Sequence, residues 1–491
     1  MRKLIILAIA LMVALVAVPA FASVQNVKVS GDIDSTWLYR NNFDFGSSTS
    51  GGGANPTVEN IHQSIFMTQT RLRVDADLTD QVSATVALIN ERAWGNDNED
   101  AATTKGTTVT DIDLNLAYVT LREMLYSPLT VVVGRQVFSY GNSLIVNASG
   151  TNNAASSDSG IAAVAGDLSK QAAMDAIRLI FDYNPLTLEV LYAKINENTA
   201  TSAVDHDTDD IDLYGINATY ELGDDLNTQV EGYFFARINK STNDGTAAAT
   251  NGTKSDTTYV PGLRASADVL DGLNIQGEVA WQRGNNVSST SDLDNEKRDA
   301  FAAQFVSNYQ IPKDVLPDAL DEYSPALGYT YTYVSGDSNP ADSGYVNQAS
   351  ANIDTAWDPM FEAQGGKTIY NALFNLTNLQ IHSVSLTANP MEDVTAKVTW
   401  NGLWLDKKID PSSTVASTFA LQRPDAAATY TPTADKDETG LGYEIDVDAI
   451  YDYTEDVQLG ASFGWFVPGD VFEENHDSVA SQAIVHGIVN F

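Results

Sequence analysis

Apolar and polar residues alternate with a period of two along most of this chain. In residues 27–40, one set of alternate positions is apolar and ends in two aromatic residues, while the other set carries Lys, Asp, Thr and Arg. The same pattern recurs in residues 66–76, 394–404, 441–452 and 457–465. A period of two places successive side chains on opposite faces of a β-strand. The pattern therefore predicts strands that have one apolar and one polar face.

The alternation predicts eighteen strands, joined by connectors of two classes. The strands begin near residues 27, 63, 82, 110, 129, 174, 186, 209, 227, 257, 273, 298, 326, 379, 393, 440, 457 and 479. Short turns such as Asn184-Pro185 alternate along most of the chain with long polar loops such as residues 41–62, 139–173 and 405–439. Outer-membrane barrels have short periplasmic turns and long extracellular loops. An even number of strands leaves both ends of the sheet on the periplasmic side.

The first 22 residues differ from the rest of the chain. Arg2 and Lys3 precede an almost unbroken apolar stretch, which is followed by Ala20-Phe21-Ala22. This order predicts a secretory signal peptide cleaved after Ala22, with residues 23–491 forming a single barrel domain. The alternative is a membrane anchor helix, which the short apolar stretch and the adjacent cleavage pattern disfavour. No later stretch approaches the roughly 20 apolar residues that a spanning helix needs.

The two-faced strands favour a transmembrane barrel over a soluble β-fold. In lipid every backbone N–H and C=O needs a partner within the protein, so only helices or closed sheets can span. A soluble sandwich would pack its apolar faces together and would rarely need nine long polar loops. The sequence therefore predicts an all-β, antiparallel transmembrane barrel whose apolar face meets lipid.

The end of the chain supports this prediction. Alternate residues of the last segment, from Ala483 to the terminal Phe491, are small or apolar. A terminal aromatic residue that closes such a pattern resembles the signal by which the barrel-assembly machinery recognises its clients. We therefore expect this machinery and outer-membrane lipid to be partners of the protein.

Composition narrows the possible functions. The formal charge is −38, and the chain has no cysteine. An acidic balance argues against nucleic acid as a partner, because phosphates require a basic surface. Without cysteine there can be no disulfide and no thiolate metal site.

A barrel of eighteen strands is wide enough for an aqueous lumen, and the polar face of each strand would then line it. The phase of the alternation places basic candidates on this wall: Arg40, Arg71, Arg73, Arg178, Arg237, Arg264 and Lys397. Acidic candidates lie on the same wall: Asp32, Asp34, Asp75, Asp113, Asp182, Glu231, Asp268, Glu278, Glu444, Asp446 and Asp448. One interpretation is a set of charges that compensate one another. The other is a basic track that selects anionic solutes.

Several segments resemble the alginate-export family of outer-membrane barrels. They are GRQVFSYGNSLI (residues 134–145), MDAIRLIFDYNPLTLEVLYAKI (174–195), LGYTYTYVSGD (327–337) and a long segment from residue 441 to 470. The resemblance implies an eighteen-stranded porin that passes polyanionic polysaccharide or other anions. Through the GRQ motif it also implies that Arg135 is a pore residue. An alginate channel is expected to have a basic wall, whereas this chain has 27 basic and 65 acidic residues.

Motifs for catalysis or metal binding are few. The five histidines are scattered, with no HExxH spacing and no G-x-S-x-G nucleophile motif. An enzyme is therefore not expected, and no cofactor is implied. Acidic runs in two loops are weak candidates for bound calcium: Asp205, Asp207, Asp209 and Asp210 in the first, Asp435 and Asp437 in the second. The second run begins like an EF-hand loop but has Asp446 at the twelfth place.

These observations predict a porin that passes small solutes or anionic saccharides by passive diffusion. The alternative is a structural or adhesive barrel, with a filled lumen and acidic loops that bind cations. We also expect the loop at residues 139–173, rich in small residues, to fold inward and narrow the lumen.

Overall fold

The computed structural model describes residues 26–43, 45, 62–95, 112–148, 161, 165–197, 210–240, 255–287, 295–337, 353–408, 438–472 and 477–491. The predicted signal peptide lies outside these residues. Among the described residues, no helix is both long enough and apolar enough to cross a membrane.

Eighteen long strands and one strand of two residues make up the described sheet. The strands are β1 (Asn26–Asn41), β2 (His62–Thr79), β3 (Val82–Ala93), β4 (Asp113–Leu121), β5 (Leu129–Gln136), β6 (Met174–Asp182), β7 (Leu186–Asn196), β8 (Ile211–Glu221), β9 (Gln229–Asn239), β10 (Asp256–Leu270), β11 (Leu273–Val287), β12 (Asn295–Gln310), β13 (Ala326–Val334), β14 (Ile353–Asp354), β15 (Leu379–Met391), β16 (Val394–Leu405), β17 (Gly440–Asp452), β18 (Val457–Pro468) and β19 (Ala480–Asn490). Two short helices, α1 (Asp318–Asp321) and α2 (Ile369–Leu373), lie outside the sheet. The eighteen predicted strand starts differ from the observed ones by at most three residues.

The long strands form a closed antiparallel barrel. Each pairs with its neighbours in chain order, β13 pairs with β15, and β19 pairs with β1 over ten residue pairs. β14 is the exception, since it forms a two-residue parallel pairing with Lys297 and Arg298 near the start of β12. Closure leaves the eighteen-stranded sheet without a free edge, which is the condition for spanning lipid with strands. The fold predicted from the alternation is confirmed.

The outer face of the barrel is apolar and carries aromatic residues near both rims. Between the rims, large apolar side chains such as Leu263, Val398 and Leu459 are exposed. Exposed aromatic residues near the long-loop rim are Phe66, Trp94, Tyr214, Tyr259, Trp281, Trp404, Tyr443 and Trp465. Those near the short-turn rim are Tyr126, Tyr183, Tyr220, Tyr451, Tyr453 and Phe491. Aromatic belts of this kind mark the two interfaces of a membrane.

The main buried core lies inside the barrel rather than between two sheets. Small or aliphatic inward residues such as Ala193, Leu213 and Ala302 are fully buried. They pack against side chains from two long connectors, among them Leu144 and Trp357. The connectors thus enter the lumen and pack on its wall.

Candidate channel lumen

The register of the strands places the predicted wall residues on defined faces. Asp32 is opposite Arg71, and Arg264 is opposite Glu231, so these four side chains share the inner face. The same face carries the other predicted wall residues: Arg40, Arg73, Arg178, Arg237, Lys397, Asp34, Asp75, Asp113, Asp182, Asp268, Glu278, Glu444, Asp446 and Asp448. Their role in permeation stays a prediction, since position alone does not show conduction.

Arg135 lies on the outer face, contrary to what the family resemblance implies. Its neighbour Gly134 is opposite the buried Ala176, whereas Arg135 is opposite Asp175. Their side chains form an ion pair of 3.2 Å, and the Asp175 side chain is 62% exposed. Since successive residues of a strand point to opposite faces, the arginine faces away from the lumen. The three valines that precede the Gly134-Arg135 pair are apolar at every position, so the alternation did not show to which face Arg135 points.

Several inner charges compensate one another. Arg71 pairs with Asp32 at 2.6 Å, and Arg178 pairs with Glu189 at 2.6 Å. Arg73 makes two hydrogen bonds to the Asp75 carboxylate, of 2.8 and 2.9 Å. Such pairs lower the cost of placing charges inside the barrel. They agree with the interpretation of mutually compensating charges for this part of the wall.

The first long connector to enter the barrel is inner loop A, defined as residues 138–148 and 165–173. Its tight turn donates two backbone N–H groups to wall carboxylates, Gly141 to Glu231 at 3.0 Å and Asn142 to Glu278 at 2.6 Å. Gly141 has φ +58°, and a Cβ there would lie 2.4 Å from the Glu278 carboxylate. Glycine is therefore required for the turn to approach the wall. The inward path predicted for this connector is observed in its described residues.

The second part of inner loop A is anchored on the opposite side of the lumen. Asp167 forms an ion pair of 2.5 Å with Arg40, and both side chains are buried. Glu91 accepts hydrogen bonds from the Ser169 hydroxyl and the Lys170 backbone N–H, both at 2.7 Å. These contacts hold Lys170 next to β1.

The second connector to enter is inner loop B, defined as residues 353–378. Glu444 accepts hydrogen bonds from the backbone N–H groups of Ile369 and Tyr370, both at 2.7 Å, at the start of α2. Arg237 binds Asp358 with both of its terminal nitrogens. The sequence pattern did not indicate that this connector enters the barrel, because its path depends on wall residues far away in the sequence.

The two inner loops also bind each other. The Asn147 N–H donates to the Phe361 carbonyl at 2.8 Å, and the Phe361 N–H donates to the Ile145 carbonyl at 3.1 Å. Their apolar side chains join one cluster with the wall and with residues that precede the loops: Phe43, Phe45, Phe138, Tyr140, Leu144, Ile145, Trp357, Ile369, Leu373, Phe374, Leu403, Leu441 and Phe466. The cluster lies toward the long-loop rim and narrows the lumen there.

The anchoring contacts separate the inner charges into buried and accessible ones. Side chains of Glu278 and Glu444 are 1% and 0% exposed beneath the loops. By contrast, the side chains of Arg71 and Arg73 are 40% and 42% exposed, and Lys397 is exposed as well. Several inner carboxylates thus hold the loops, while several wall cations remain accessible from the lumen. The accessible inner carboxylates include Asp182 and Asp268, which lie near the short turns.

Each inner loop contributes a lysine near Asp34 of the wall, Lys170 from inner loop A and Lys367 from inner loop B. Lys170 lies 2.8 Å from Asp34 and 3.4 Å from Asp32. Desolvation, with a smaller contribution from the nearby Lys170 ammonium, lowers the pKa of Lys367 below the usual lysine value. Asp34 and Asp448 act on Lys367 in the opposite direction. Neither lysine was among the predicted wall residues, because loop residues have no strand phase.

Little in the described structure suggests a metal site. Among the described residues, no three histidine or acidic side chains are grouped as metal ligands. Asp210 accepts a hydrogen bond from Lys194 at 2.7 Å, and Asp446 lies within β17, where the Asn401 amide donates to it at 3.0 Å. The other calcium candidates, Asp205, Asp207, Asp209, Asp435 and Asp437, lie outside the described residues.

Comparison with known proteins decides the family. The family model described as alginate export matches residues 53–486. The chain belongs to the alginate export family. As a member of this family it is a barrel of the outer membrane and belongs among channel proteins, not enzymes. No match was found among curated proteins.

Solved structures share the fold of this alginate export family member at very low sequence identity. Acinetobacter baumannii OccAB1 is 9% identical with a TM-score of 0.53, over 96% of this chain and 98% of that one. Pseudomonas aeruginosa OccD3 (OpdP) is 11% identical with a TM-score of 0.51, over 95% and 92%. Pseudomonas aeruginosa OccK11 (OpdR) is 9% identical with a TM-score of 0.51, over 95% and 96%. These likenesses concern the barrel architecture alone.

Proposed function

We propose that this protein is a passive channel that favours anionic solutes, either small organic anions or anionic saccharides. The observation that carries the proposal is the separation of the inner charges. The chain is acidic overall, but Glu278 and Glu444 are buried under the inner loops, whereas Arg71, Arg73 and Lys397 are accessible. A solute in the lumen therefore meets cations more often than the composition suggests.

The physical basis is the local field at the narrow part of the lumen. Rings of arginine and lysine serve anion pores, and low-dielectric walls concentrate the potential of the charges they carry. Lys170 and Lys367 add cations from the two inner loops, next to the wall carboxylates Asp32 and Asp34. A basic track that includes loop lysines supports passage of carboxylate-bearing solutes. No chemical step or cofactor is needed for diffusion.

Ion selectivity in planar lipid bilayers tests the proposal. Under a KCl gradient we expect the reversal potential of the wild-type channel to show anion preference. Replacing Arg71 and Arg73 together with glutamine should lower the anion-to-cation permeability ratio at least about fivefold, since each unit charge about 4 Å from an ion contributes about 1 kcal/mol in water, which is about a fivefold change. Arg135→Gln is the matched control, because that arginine lies on the outer face. Cation preference of the wild type would contradict the proposal.

Solute flux gives a second measurement. Proteoliposomes that contain the protein should swell faster in a uronate than in a neutral hexose of similar size. The double glutamine variant at Arg71 and Arg73 should reduce this difference. Equal rates for both solutes would leave a channel without anion preference.

The apolar cluster formed by the inner loops favours a second candidate, a structural barrel with a filled lumen. Leu144, Ile145 and Trp357 are nearly or fully buried there, so the packing could close the path. A closed barrel would pass no steady current at any salt concentration, which separates the two candidates directly. Calcium in the acidic loops and recognition by the assembly machinery remain predictions.

A further inference from the structure

A groove of about 490 Å³ opens on the outer face of strands β8 to β11. Ile216, Phe234, Pro261, Leu263 and Trp281 surround it, with Gly232 among the lining residues. Its accessible lining is almost wholly apolar. A Cβ on Gly232 would lie 3.3 Å from the Leu263 side chain. The missing side chain therefore keeps the groove open.

Basic residues lie on the same outer face, between the groove and the long-loop rim. Trp281 is opposite Phe301, Arg283 is opposite Asp299, and Lys297 is opposite Asn285. At about 3.3 Å per residue, Arg283 lies about 7 Å above Trp281 along its strand, and Lys297 about 13 Å above Phe301.

The charges at this end of the outer face are accessible. Arg283 and Asp299 form an ion pair whose side chains are 51% and 53% exposed. Lys297 is exposed and makes no ion pair within the described part of the chain. Since Asp299 offsets the charge of Arg283, the Lys297 ammonium gives this end a net positive charge among its described side chains, above an apolar groove.

We propose that this groove binds a phosphorylated lipid of the outer leaflet, with an acyl chain in the groove and a phosphate at Lys297 and Arg283. An apolar groove with one basic end matches an amphiphile that has an acyl chain and an anionic headgroup. Phosphate forms charge-assisted hydrogen bonds with both cations, most favourably with the planar arginine. The aromatic rings of Trp281 and Tyr259 lie at the interface between chain and headgroup, where such rings are preferred.

A second copy of the chain fits these features less well. A protein contact over the groove would also cover Lys297, and a buried ammonium without a partner is costly. A phosphate supplies that partner. The lipid therefore accounts for the groove and the charge together.

Native mass spectrometry of the full-length protein in detergent tests this site, with diphosphoryl lipid A and its dephosphorylated form as probes. We expect one preferred adduct with the diphosphoryl lipid and weaker binding of the other form. Lys297→Gln should weaken binding about fivefold, the equivalent of about 1 kcal/mol for one cation at an anionic surface, and Lys297→Arg should restore it. Equal binding of the two lipids would overturn the proposal.

The groove itself is tested by filling it. Gly232→Leu should reduce lipid binding, whereas Gly487→Leu on the outer face of β19 should not. The control is matched, because a Cβ at Gly487 would also lie 3.3 Å from a leucine side chain, that of Leu459. Unchanged binding by the Gly232 variant would refute the site. So would a change in oligomer size with lipid binding intact, since the groove would then be a subunit contact.

Discussion

Removing the Glu444 carboxylate should release inner loop B from the wall. In the native protein this side chain is fully buried and accepts two backbone hydrogen bonds of 2.7 Å, from Ile369 and Tyr370. Glu444→Ala leaves both N–H groups without that acceptor at the first turn of α2. Ile369 and Tyr370 open this helix, so their N–H groups have no acceptor within it.

The size of the effect follows from the two lost bonds. A buried donor left unsatisfied costs about 1–3 kcal/mol, so two cost about 2–6 kcal/mol. Truncation also removes the cost of burying the carboxylate, which places the net loss near the lower end, about 2–3 kcal/mol. Since about 1.4 kcal/mol is a factor of ten, the population with the loop detached should rise about 30- to 150-fold. Glu444→Gln keeps one acceptor oxygen, so its population with the loop detached should lie between those of the wild type and of Glu444→Ala.

Single-channel recording and limited proteolysis measure this release. We expect larger or more frequently open conductance levels and new cleavage within residues 353–378. Asp448→Asn is the control, because Asp448 lies on the same face of the same strand but accepts a bond from Ser462 of the wall at 2.5 Å. Wild-type conductance together with wild-type resistance to protease in Glu444→Ala would refute the anchoring argument.

Three further outcomes follow from the inner loops. Gly141→Ala should lower the free energy of unfolding by about 1–3 kcal/mol, because the alanine would have a positive φ and its Cβ would clash with Glu278. Gly95 has φ +77° with open space around it, so Gly95→Ala should show the cost of the positive φ alone. Equal losses in the two variants would exclude a contribution from the clash. Burial raises the pKa of Glu362 to about 7, although the hydrogen bond that Glu362 accepts from the Gln364 N–H has a smaller, lowering effect. The folded protein thus holds this proton more tightly than the unfolded chain does. Packing of inner loop B is therefore strongest below pH 4.5, weakens by about 3 kcal/mol as the pH rises to about 7, and stays weak at higher pH. Resistance to protease should follow this pH dependence, and Glu362→Gln should abolish the pH dependence. Because the pKa of Lys367 is lowered, anion preference should begin to decline at a lower pH than an ordinary lysine would give. Lys367→Arg should abolish this early decline, as measured by reversal potentials.

The candidate site was only partly predictable. Where alternation was clear, as for Arg71 and Lys397, the strand phase and the observed register place the side chain on the same face. It was ambiguous at Arg135, because three preceding valines have the same polarity on both faces. Pairing with β6 resolved that position by placing Gly134 opposite Ala176. The small-residue content of the connector after β5 indicated an inward loop, but the packed residues in its described part are aromatic and aliphatic.

The sequence by itself determined the number of long strands, their order and which face meets lipid. A period of two and the need to pair every backbone group in a membrane leave little choice once the apolar positions are known. Only the tertiary structure decided what the lumen contains. The anchors join residues far apart in the chain, such as Asn142 with Glu278 and Ile369 with Glu444. Such contacts have no local signature, because they depend on register and on the path of a loop across the barrel rather than on neighbouring residues.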